Sequence, residues 1–371
     1  MQHLRSSINN AFFAILLFAG LYFLFVERQF GQAVMPNPKT ASTPQVSPTP
    51  KSTPKPTPTP VDEEGEPIRI ETDLVNLYIR VVDRMGRPVT NLRKQDFKVY
   101  ENGVLQEIEY FSKELVPTNY ALVVDNSGSI KRQLDKVIEA GKVVINSNLP
   151  DDETCVIRFI SSEKIEVLQD FTSDKSLLAE ALDKMFIESG QTAVIDAIYL
   201  AAQKVGEYER SINADDRKRS ALIVVTDGED RNSYYTEKQL FELLRELDVQ
   251  IYTIGFTSDL DKEGGLIKKS PKEKAESLLK RLAEETGGKA YFPQSVSELE
   301  SIAKDIASEM RTQYVIGYYP TNKSATNGFI PINVVVADGP NKEKRIAITR
   351  SGRVPTGGLK NTPTLQPKKN N

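Results

Sequence analysis

The chain has 371 residues, a formal net charge of −3 and one histidine, His3, close to its first residue. A domain formed by the later residues therefore lacks the histidine that a Ser-His-Asp or Cys-His mechanism, or a His-ligated zinc site, requires. The net charge gives no basic surplus, which argues against nucleic acid as the main partner. The length allows one large domain and a smaller one.

The only cysteine, Cys155, lies in the apolar run Thr154–Ile160. We interpret it as a buried strand residue and not as a nucleophile, because no base is available to activate it. A single cysteine also excludes a disulfide within the chain.

Residues 1–33 are typical of an export signal or a membrane anchor. Ala11 to Val26 form an apolar stretch that Arg5 precedes. The stretch is longer than a typical signal-peptide core but shorter than the roughly 20 residues of a spanning helix. Cleavage after Ala33 and an uncleaved anchor in the inner membrane at residues 11–26 therefore both remain open. Either one predicts a protein outside the cytoplasm, in the periplasm, at the cell surface or secreted, that meets the membrane only here.

Residues 34–67 are predicted to form a Pro/Thr-rich linker. Nine prolines lie between Pro36 and Pro60, among Thr, Ser and Lys. Such a tract has too little apolar surface to fold and favours extended polyproline II, which makes it a semi-rigid stalk. Residues 354–371 are predicted to be a disordered tail.

Residues 68–115 and 312–353 both have the alternation of apolar and polar residues that is typical of β-strands. In the first segment Val75, Leu77, Ile79 and Val81 alternate with polar residues, and Glu101-Asn102-Gly103 indicates a hairpin. Neither segment is long enough to bury a good core alone. We therefore expect them to pair into one small β-sandwich beside the central domain.

Residues 116–311 alternate short apolar strands with amphipathic helices, which predicts an α/β fold with a Rossmann-like, doubly wound and mostly parallel sheet. The predicted strands are Tyr120–Asp125, Thr154–Ile160, Ala221–Thr226 and Val249–Gly255. The predicted helices are Leu134–Ile145, Ala193–Val205, Glu237–Leu247, Glu273–Glu285 and Val296–Met310. Ligands of such sheets collect at the carboxyl ends of the strands.

Five oxygen-bearing side chains are predicted to meet at that edge. Asp125, Ser127 and Ser129 follow one strand, Asp227 follows another, and Thr192 immediately precedes a helix. Carboxylates and hydroxyls are hard ligands, and a set with few carboxylates suits Mg²⁺, with Mn²⁺ or Ca²⁺ as alternatives. Because no histidine stands ready to activate a bound water, the set favours binding over catalysis.

The central region resembles a von Willebrand factor type A (VWFA) domain. Asp125-x-Ser127-x-Ser129, Thr192 and Asp227 match the metal-ion-dependent adhesion site of that family in order and spacing, and the flanking phrases Val89–Phe97 and Gly317–Pro320 resemble a bacterial secreted VWFA-related family. The resemblance implies that the three hydroxyls touch the metal and that the two carboxylates act directly or through water. Gln191 departs from the glycine of many relatives, which should alter the shape of its loop more than the metal chemistry.

Several neighbouring residues have a structural alternative. Ser and Asp after a strand often cap the next helix, and Ser129 could do that alone. Asp196 should interact with the dipole of its own helix and not with the metal. Glu229 and Asp230 form an acidic rim that is either a second cation site or a solvated loop. Tyr234 and Tyr235 line a partner surface or simply pack.

The sequence therefore predicts an extracytoplasmic, metal-dependent adhesion or assembly module that is not an enzyme. Its partner would be a protein that presents Asp or Glu to the metal. A cation whose charge its ligands neutralise only in part attracts such a carboxylate. The alternatives are a metal-assisted hydrolase that uses the same ion and a scaffold with an idle metal site.

Overall fold

The computed structural model of the chain describes residues 74–113, 115–212, 218–260, 269–322 and 328–355, which belong to one compact unit. The predicted signal or anchor at 1–33, the linker at 34–67 and all but the first two residues of the predicted tail lie outside the described residues. Among the residues that are described, no helix is both long and apolar enough to cross a bilayer.

The described secondary structure is mixed α/β. The strands are β1 (Val75–Asp83), β2 (Phe97–Glu101), β3 (Val104–Gln106), β4 (Tyr110–Ser112), β5 (Thr118–Asp125), β6 (Glu153–Ser161), β7 (Lys164–Thr172), β8 (Arg219–Thr226), β9 (Val249–Gly255), β10 (Ala290–Tyr291), β11 (Tyr314–Tyr318), β12 (Ile330–Val336), β13 (Arg345–Ile348) and β14 (Gly352–Arg353). The helices are α1 (Leu134–Asn146), α2 (Lys175–Asp183), α3 (Val194–Ser211), α4 (Glu237–Glu246), α5 (Pro271–Thr286) and α6 (Leu299–Glu309).

The central sheet has the strand order β10-β9-β8-β5-β6-β7 and is parallel except for β7, which runs antiparallel to β6. This confirms the predicted doubly wound, mostly parallel fold. The four predicted strands begin and end within two residues of β5, β6, β8 and β9. Strands β7 and β10 and helix α2 are not among the elements predicted from the sequence. In β7 only Val167 is buried, so its sequence lacks the continuous apolar run of a central strand.

Alternate residues of β5 pack against helices on opposite faces of the sheet, as the period of two requires. Tyr120, Leu122 and Val124 belong to the core beneath α1, α2 and α6. Ala121 and Val123 belong to the core beneath α3, α4 and α5. Since β5 lies in the middle of the sheet and is buried along its whole length, its carboxyl end has a fixed position.

The bounds of α5 follow from local sequence signals. The Ser270 hydroxyl accepts a hydrogen bond from the Glu273 amide (3.2 Å), and the Glu273 carboxylate accepts one from the Ser270 amide (2.9 Å). Pro271 occupies the first helical position, and Gly287 ends the helix with a φ of 79°. The prediction began this helix at Glu273, two residues late, because it did not use the capping pair.

Two four-stranded antiparallel sheets, β13-β1-β11-β4 and β14-β12-β2-β3, combine strands from before and after the central region. Their facing apolar side chains form one further core that includes Leu77, Val99 and Ile316. The predicted hairpin is present, because Asn102 and Gly103 join β2 to β3 with φ angles of 47° and 77°.

Strand β1 of the antiparallel sheets contacts the central domain at the amino-terminal edge of the central sheet, opposite the predicted site. The guanidinium of Arg219, at the start of β8, lies 4.8 Å from the ring centroid of Tyr78 in β1. Arg80 of β1 forms a buried ion pair with Glu309 of α6, with Nε and Oε2 2.8 Å apart.

We predict that Glu309→Gln lowers the free energy of unfolding by about 3 kcal/mol, because it leaves the Arg80 charge buried without its partner. Glu300→Gln on the same helix is the matched control, since its ion pair with Lys304 is two-thirds exposed on both sides and should contribute nothing measurable. Urea unfolding of the two variants measures both free energies of unfolding. Equal losses of stability would contradict a role for Arg80 and Glu309 in joining the two parts of the unit.

Candidate metal site

The site lies where β5 and β8 end side by side. The two strands pair in parallel with Val124 opposite Val225, so Asp125 and Thr226 leave the sheet together. The Thr226 hydroxyl donates a hydrogen bond to Oδ2 of Asp125 (2.7 Å). The next residue, Asp227, is buried at the same edge. Two of the predicted ligands are thus brought together by strand register alone.

The loop after β5 brings its two serines to the same point. The Ser127 amide donates to Oδ1 of Asp125 (2.9 Å), and the hydroxyl oxygens of Ser127 and Ser129 lie 2.9 Å apart. Asp125 is fully buried, Ser127 is nearly so and Ser129 is exposed. The cluster therefore opens to solvent on the side of Ser129.

The capping interpretation of these serines is wrong. Ser127 precedes a short 3₁₀ turn at Gly128–Ile130, but its side chain makes no cap hydrogen bond. Helix α1 begins after Gln133, and the Gln133 side chain makes no capping hydrogen bond either. Since neither hydroxyl accepts a hydrogen bond from a backbone amide at the start of the helix, the lone pairs of their oxygens can bind a metal ion.

The loop that carries Thr192 is fastened to both neighbouring loops. The Thr192 carbonyl accepts hydrogen bonds from the amides of Arg231 (2.9 Å) and Asn232 (3.4 Å), in the loop after β8. Nδ2 of Asn126 donates to the carbonyl of Phe186 (3.0 Å), which ties the start of the Thr192 loop to the loop after β5. Thr192 is buried. Its hydroxyl makes no hydrogen bond to the other four predicted ligands within the described structure, so its role as a ligand stays a prediction.

The buried carboxylates lack a compensating cation. Burial and, next, the carboxylate of Asp227 raise the pKa of Asp125 to about 6, against the lowering effect of hydrogen bonds from Ser127 and Thr226. Among the described residues neither Asp125 nor Asp227 is in a salt bridge; the nearby guanidinium of Arg231 pairs with Glu229 (2.6 Å). The cluster is therefore short of positive charge.

The other acidic residues at this edge have structural partners. The Asp196 carboxylate accepts the amides of Tyr234 and Tyr235, both at 2.8 Å, so it fixes the loop after β8 in addition to lying in the first turn of α3. Asp230 accepts the amide of Ile195 (3.1 Å) and the Ser233 hydroxyl (2.5 Å). With Glu229 held by Arg231, the acidic rim has its own partners and is a poor second cation site.

The two adjacent tyrosines differ in their surroundings. Tyr235 stacks on Tyr199 with ring centroids 3.8 Å apart. Tyr234 meets Tyr235 only edge-on and is 82% exposed. Phe186, on the Thr192 loop, is also more than half exposed. Tyr235 therefore packs, whereas Tyr234 and Phe186 present aromatic surface beside the site.

Sequence reasoning missed three residues that position the site. Thr226 orients Asp125, and Asn126 fastens two loops. Gly190 allows the Thr192 loop to approach β6 closely, since a Cβ there would lie 2.4 Å from Cγ2 of Ile160. Thr226 could have been found from its place at the end of a buried strand, beside Asp227. The roles of Asn126 and Gly190 depend on which strands are neighbours in the folded sheet.

The donor set fits a hard divalent cation. It offers two carboxylates and three hydroxyls, all oxygen, with two acidic groups whose charge no side-chain cation neutralises among the described residues. Asp125, Asp227, Ser127, Ser129 and Thr192 are the residues that would hold it.

Comparison with known proteins agrees with this fold. The family profile described as "von Willebrand factor type A domain" matches residues 119–305, about half of the chain. No curated protein sequence matches the chain.

Similar solved structures share low sequence identity with the chain. An aerotolerance-related membrane protein from Bacteroides fragilis is 21% identical, with 52% of this chain and 98% of that chain covered and a TM-score of 0.38. A von Willebrand factor type A protein from Catenulispora acidiphila is 12% identical, with 74% and 75% covered and a TM-score of 0.41. Proximal thread matrix protein 1 from the mussel byssus, described with a zinc-occupied MIDAS motif, is 21% identical, with 56% and 48% covered and a TM-score of 0.39.

The family assignment rests on the profile match, which spans the central sheet from β5 to within α6. The chain belongs to the von Willebrand factor type A domain family.

Proposed function

We propose that this protein is an extracytoplasmic binding module whose site holds Mg²⁺ and engages an acidic residue of another protein. One observation carries the proposal: the buried Asp125 lies beside Asp227, and neither carboxylate has a cationic side chain as its partner among the described residues. A divalent cation would relieve that repulsion. Bound there, Mg²⁺ would supply an open coordination position for a carboxylate oxygen.

The residues around the site favour binding over hydrolysis. The sequence contains no histidine after His3, and the nearby acids Asp196, Glu229 and Asp230 are held by backbone amides or by Arg231. A general base must be within hydrogen-bond reach of a reacting water and free to accept its proton. We therefore propose that the protein is not an enzyme.

A protein partner is favoured by the surface beside the site. Ser129 opens the cluster to solvent, and Tyr234 and Phe186 present exposed aromatic rings on the two adjoining loops. Exposed aromatic side chains are enriched at protein interfaces, where they add apolar contact around a polar centre. The carboxylate would meet the metal while neighbouring partner residues contact these rings.

The proposed location outside the cytoplasm is supported by sequence patterns alone. The apolar stretch at residues 11–26 would direct export, and the proline-rich tract at residues 36–60 would hold the module away from the membrane.

We predict that Asp125→Asn is more stable than the wild type in EDTA, by about 2 kcal/mol, because it removes a buried charge that its surroundings disfavour. Adding Mg²⁺ should stabilise the wild type, since a ligand that binds only the folded state raises its stability, and should leave the variant unchanged. Thermal and urea unfolding with Mg²⁺ or EDTA measure both effects.

The matched control is Asp152→Asn at the opposite edge of the sheet. Asp152 is also fully buried, but it accepts the Thr118 amide (2.7 Å) and pairs with Arg311. This variant should lose stability in EDTA and keep the response to Mg²⁺. A wild-type protein that Mg²⁺ does not stabilise would contradict the proposed metal site.

We predict that the full chain captures partner proteins from an envelope extract of its source cells in Mg²⁺ but not in EDTA. Asp125→Ala should capture none of them in either buffer, because the metal is lost. Quantitative mass spectrometry of the captured proteins is the measurement. If wild type and variant capture the same proteins in both buffers, the adhesion hypothesis fails; metal-dependent turnover of an ester, peptide or phosphate substrate would favour a hydrolase instead.

Tyr234→Ser separates partner binding from metal binding. The ring is 82% exposed and its amide, not its side chain, holds the loop to Asp196. The variant should keep the full stabilisation by Mg²⁺ yet capture the partner at least about fivefold less, the loss expected for one interface aromatic. Unchanged capture would exclude Tyr234 from the partner surface.

A further inference from the structure

Two cationic side chains, Lys131 and Arg132, follow Ser129 in the loop after β5. Both are exposed, whereas Ile130 and Gln133 on either side of them are buried. The Gln133 amide donates a hydrogen bond to the Ile130 carbonyl (2.9 Å), so the chain turns at this point. The turn therefore exposes two adjacent cations within three residues of Ser129, the exposed member of the candidate metal site.

Lys131 and Arg132 have no carboxylate partner within the described part of the chain, Asp135 in the first turn of α1 included. Three other cations on the strands and loops around the site differ, because each is paired with a carboxylate: Arg158 with Glu166, Lys164 with Glu188 and Arg231 with Glu229. The two cations after Ser129 are therefore unpaired positive charge beside the site.

A partner that reaches the metal would pass these two cations. Asp125 and Asp227 are buried and Ser129 is exposed, so the open side of the cluster is the side of the loop that carries Lys131. The Cα atoms of Ser129 and Lys131 are two residues apart and hence at most about 7 Å from each other. An extended partner chain also advances about 7 Å in two residues, and side chains two residues apart lie on the same face.

We propose that Lys131 and Arg132 bind a second acidic side chain of the partner, two or three residues from the one that meets the metal. This inference rests on the function proposed above and adds the chemistry of the partner, which is a short segment with two carboxylates. Complementary charges at the rim of an interface raise the association rate and the selectivity for the correct partner. A segment with a single acid would bind more weakly.

The test begins with a selection of random twelve-residue displayed peptides on the full chain in Mg²⁺, with elution by EDTA so that only metal-dependent binders are recovered. The recovered peptides should contain two Asp or Glu residues two or three positions apart. Recovered peptides with a single acid would overturn this inference and leave the metal-dependent function standing. Recovery of no peptide would contradict the proposed function itself, and this inference with it.

The decisive variant replaces both Lys131 and Arg132 by glutamine, which removes the charges. Glutamine is preferred to glutamate because a carboxylate at these positions could itself reach the metal. Fluorescence anisotropy measures the affinity of a recovered peptide and of its counterpart with the second acid replaced by its amide. For the wild type the replacement should weaken binding at least about fivefold at low ionic strength, and less as salt is added, because exposed charges are screened.

For the glutamine variant the two peptides should bind equally, and Mg²⁺ should stabilise it against thermal unfolding as it does the wild type. The matched control replaces Arg210, at the end of α3, and Lys94, before β2, by glutamine; both are exposed and lack a carboxylate partner among the described residues. This control should keep the fivefold difference. A glutamine variant that retains both the Mg²⁺ stabilisation and the preference for two acids would overturn the inference, since the cycle measures only the coupling between the cations and the second acid.

Discussion

The parallel pairing of β5 with β8 is the constraint on which the site depends. These two strands are neighbours in the middle of the sheet, and their register sets Val124 beside Val225. Because both strands run in the same direction, both chains leave the core at one edge and deliver Asp125, Thr226 and Asp227 together. The hydrogen bond between Thr226 and Asp125 is a direct result of that register. An antiparallel pair would have placed the two acids at opposite ends of the sheet.

Buried acidic residues have different partners at the two edges of the central sheet. At the amino-terminal edge two buried carboxylates pair with arginines: Asp152 with Arg311, and Glu309 with Arg80. At the carboxyl edge Asp125 has only hydrogen bonds, and its pKa rises to about 6 through burial and the neighbouring Asp227. Among the described residues neither Asp125 nor Asp227 has such a partner, so burying the two carboxylates side by side has an electrostatic cost. A bound cation is the simplest group that removes it.

Much of the fold could be predicted from the sequence because its central strands are buried on both faces. Continuous apolar runs such as Val249–Gly255 carry that signal directly. The edge strand β7 could not be found in this way, since most of its residues are half-buried. Helix α2 does have a recognisable sequence signal, because Asp174 caps it by accepting two backbone amides, and Leu178 and Leu182 are both buried.

The sequence also predicts the five candidate ligands, because polar residues that follow buried parallel strands meet at one edge of the sheet. The residues that position these ligands could not be predicted in this way. Asn126 and Gly190 act across loops that are far apart in sequence, and only the strand order shows that these loops touch. Asp196 was assigned to its helix dipole, yet its carboxylate organises the loop that carries Tyr234. Such roles depend on tertiary contacts that no local pattern records.

Anomalous diffraction from crystals of the protein grown with Mn²⁺ would locate the bound metal, because Mn²⁺ shares the oxygen-ligand preference of Mg²⁺ and scatters anomalously. We expect one strong anomalous peak at the carboxyl edge of the central sheet. That peak should be bounded by the oxygens of Ser127, Ser129 and Thr192, with Asp125 and Asp227 as direct ligands or one water away. The absence of a peak there at saturating Mn²⁺, in crystals that diffract well enough to show these side chains, would contradict the proposed metal site.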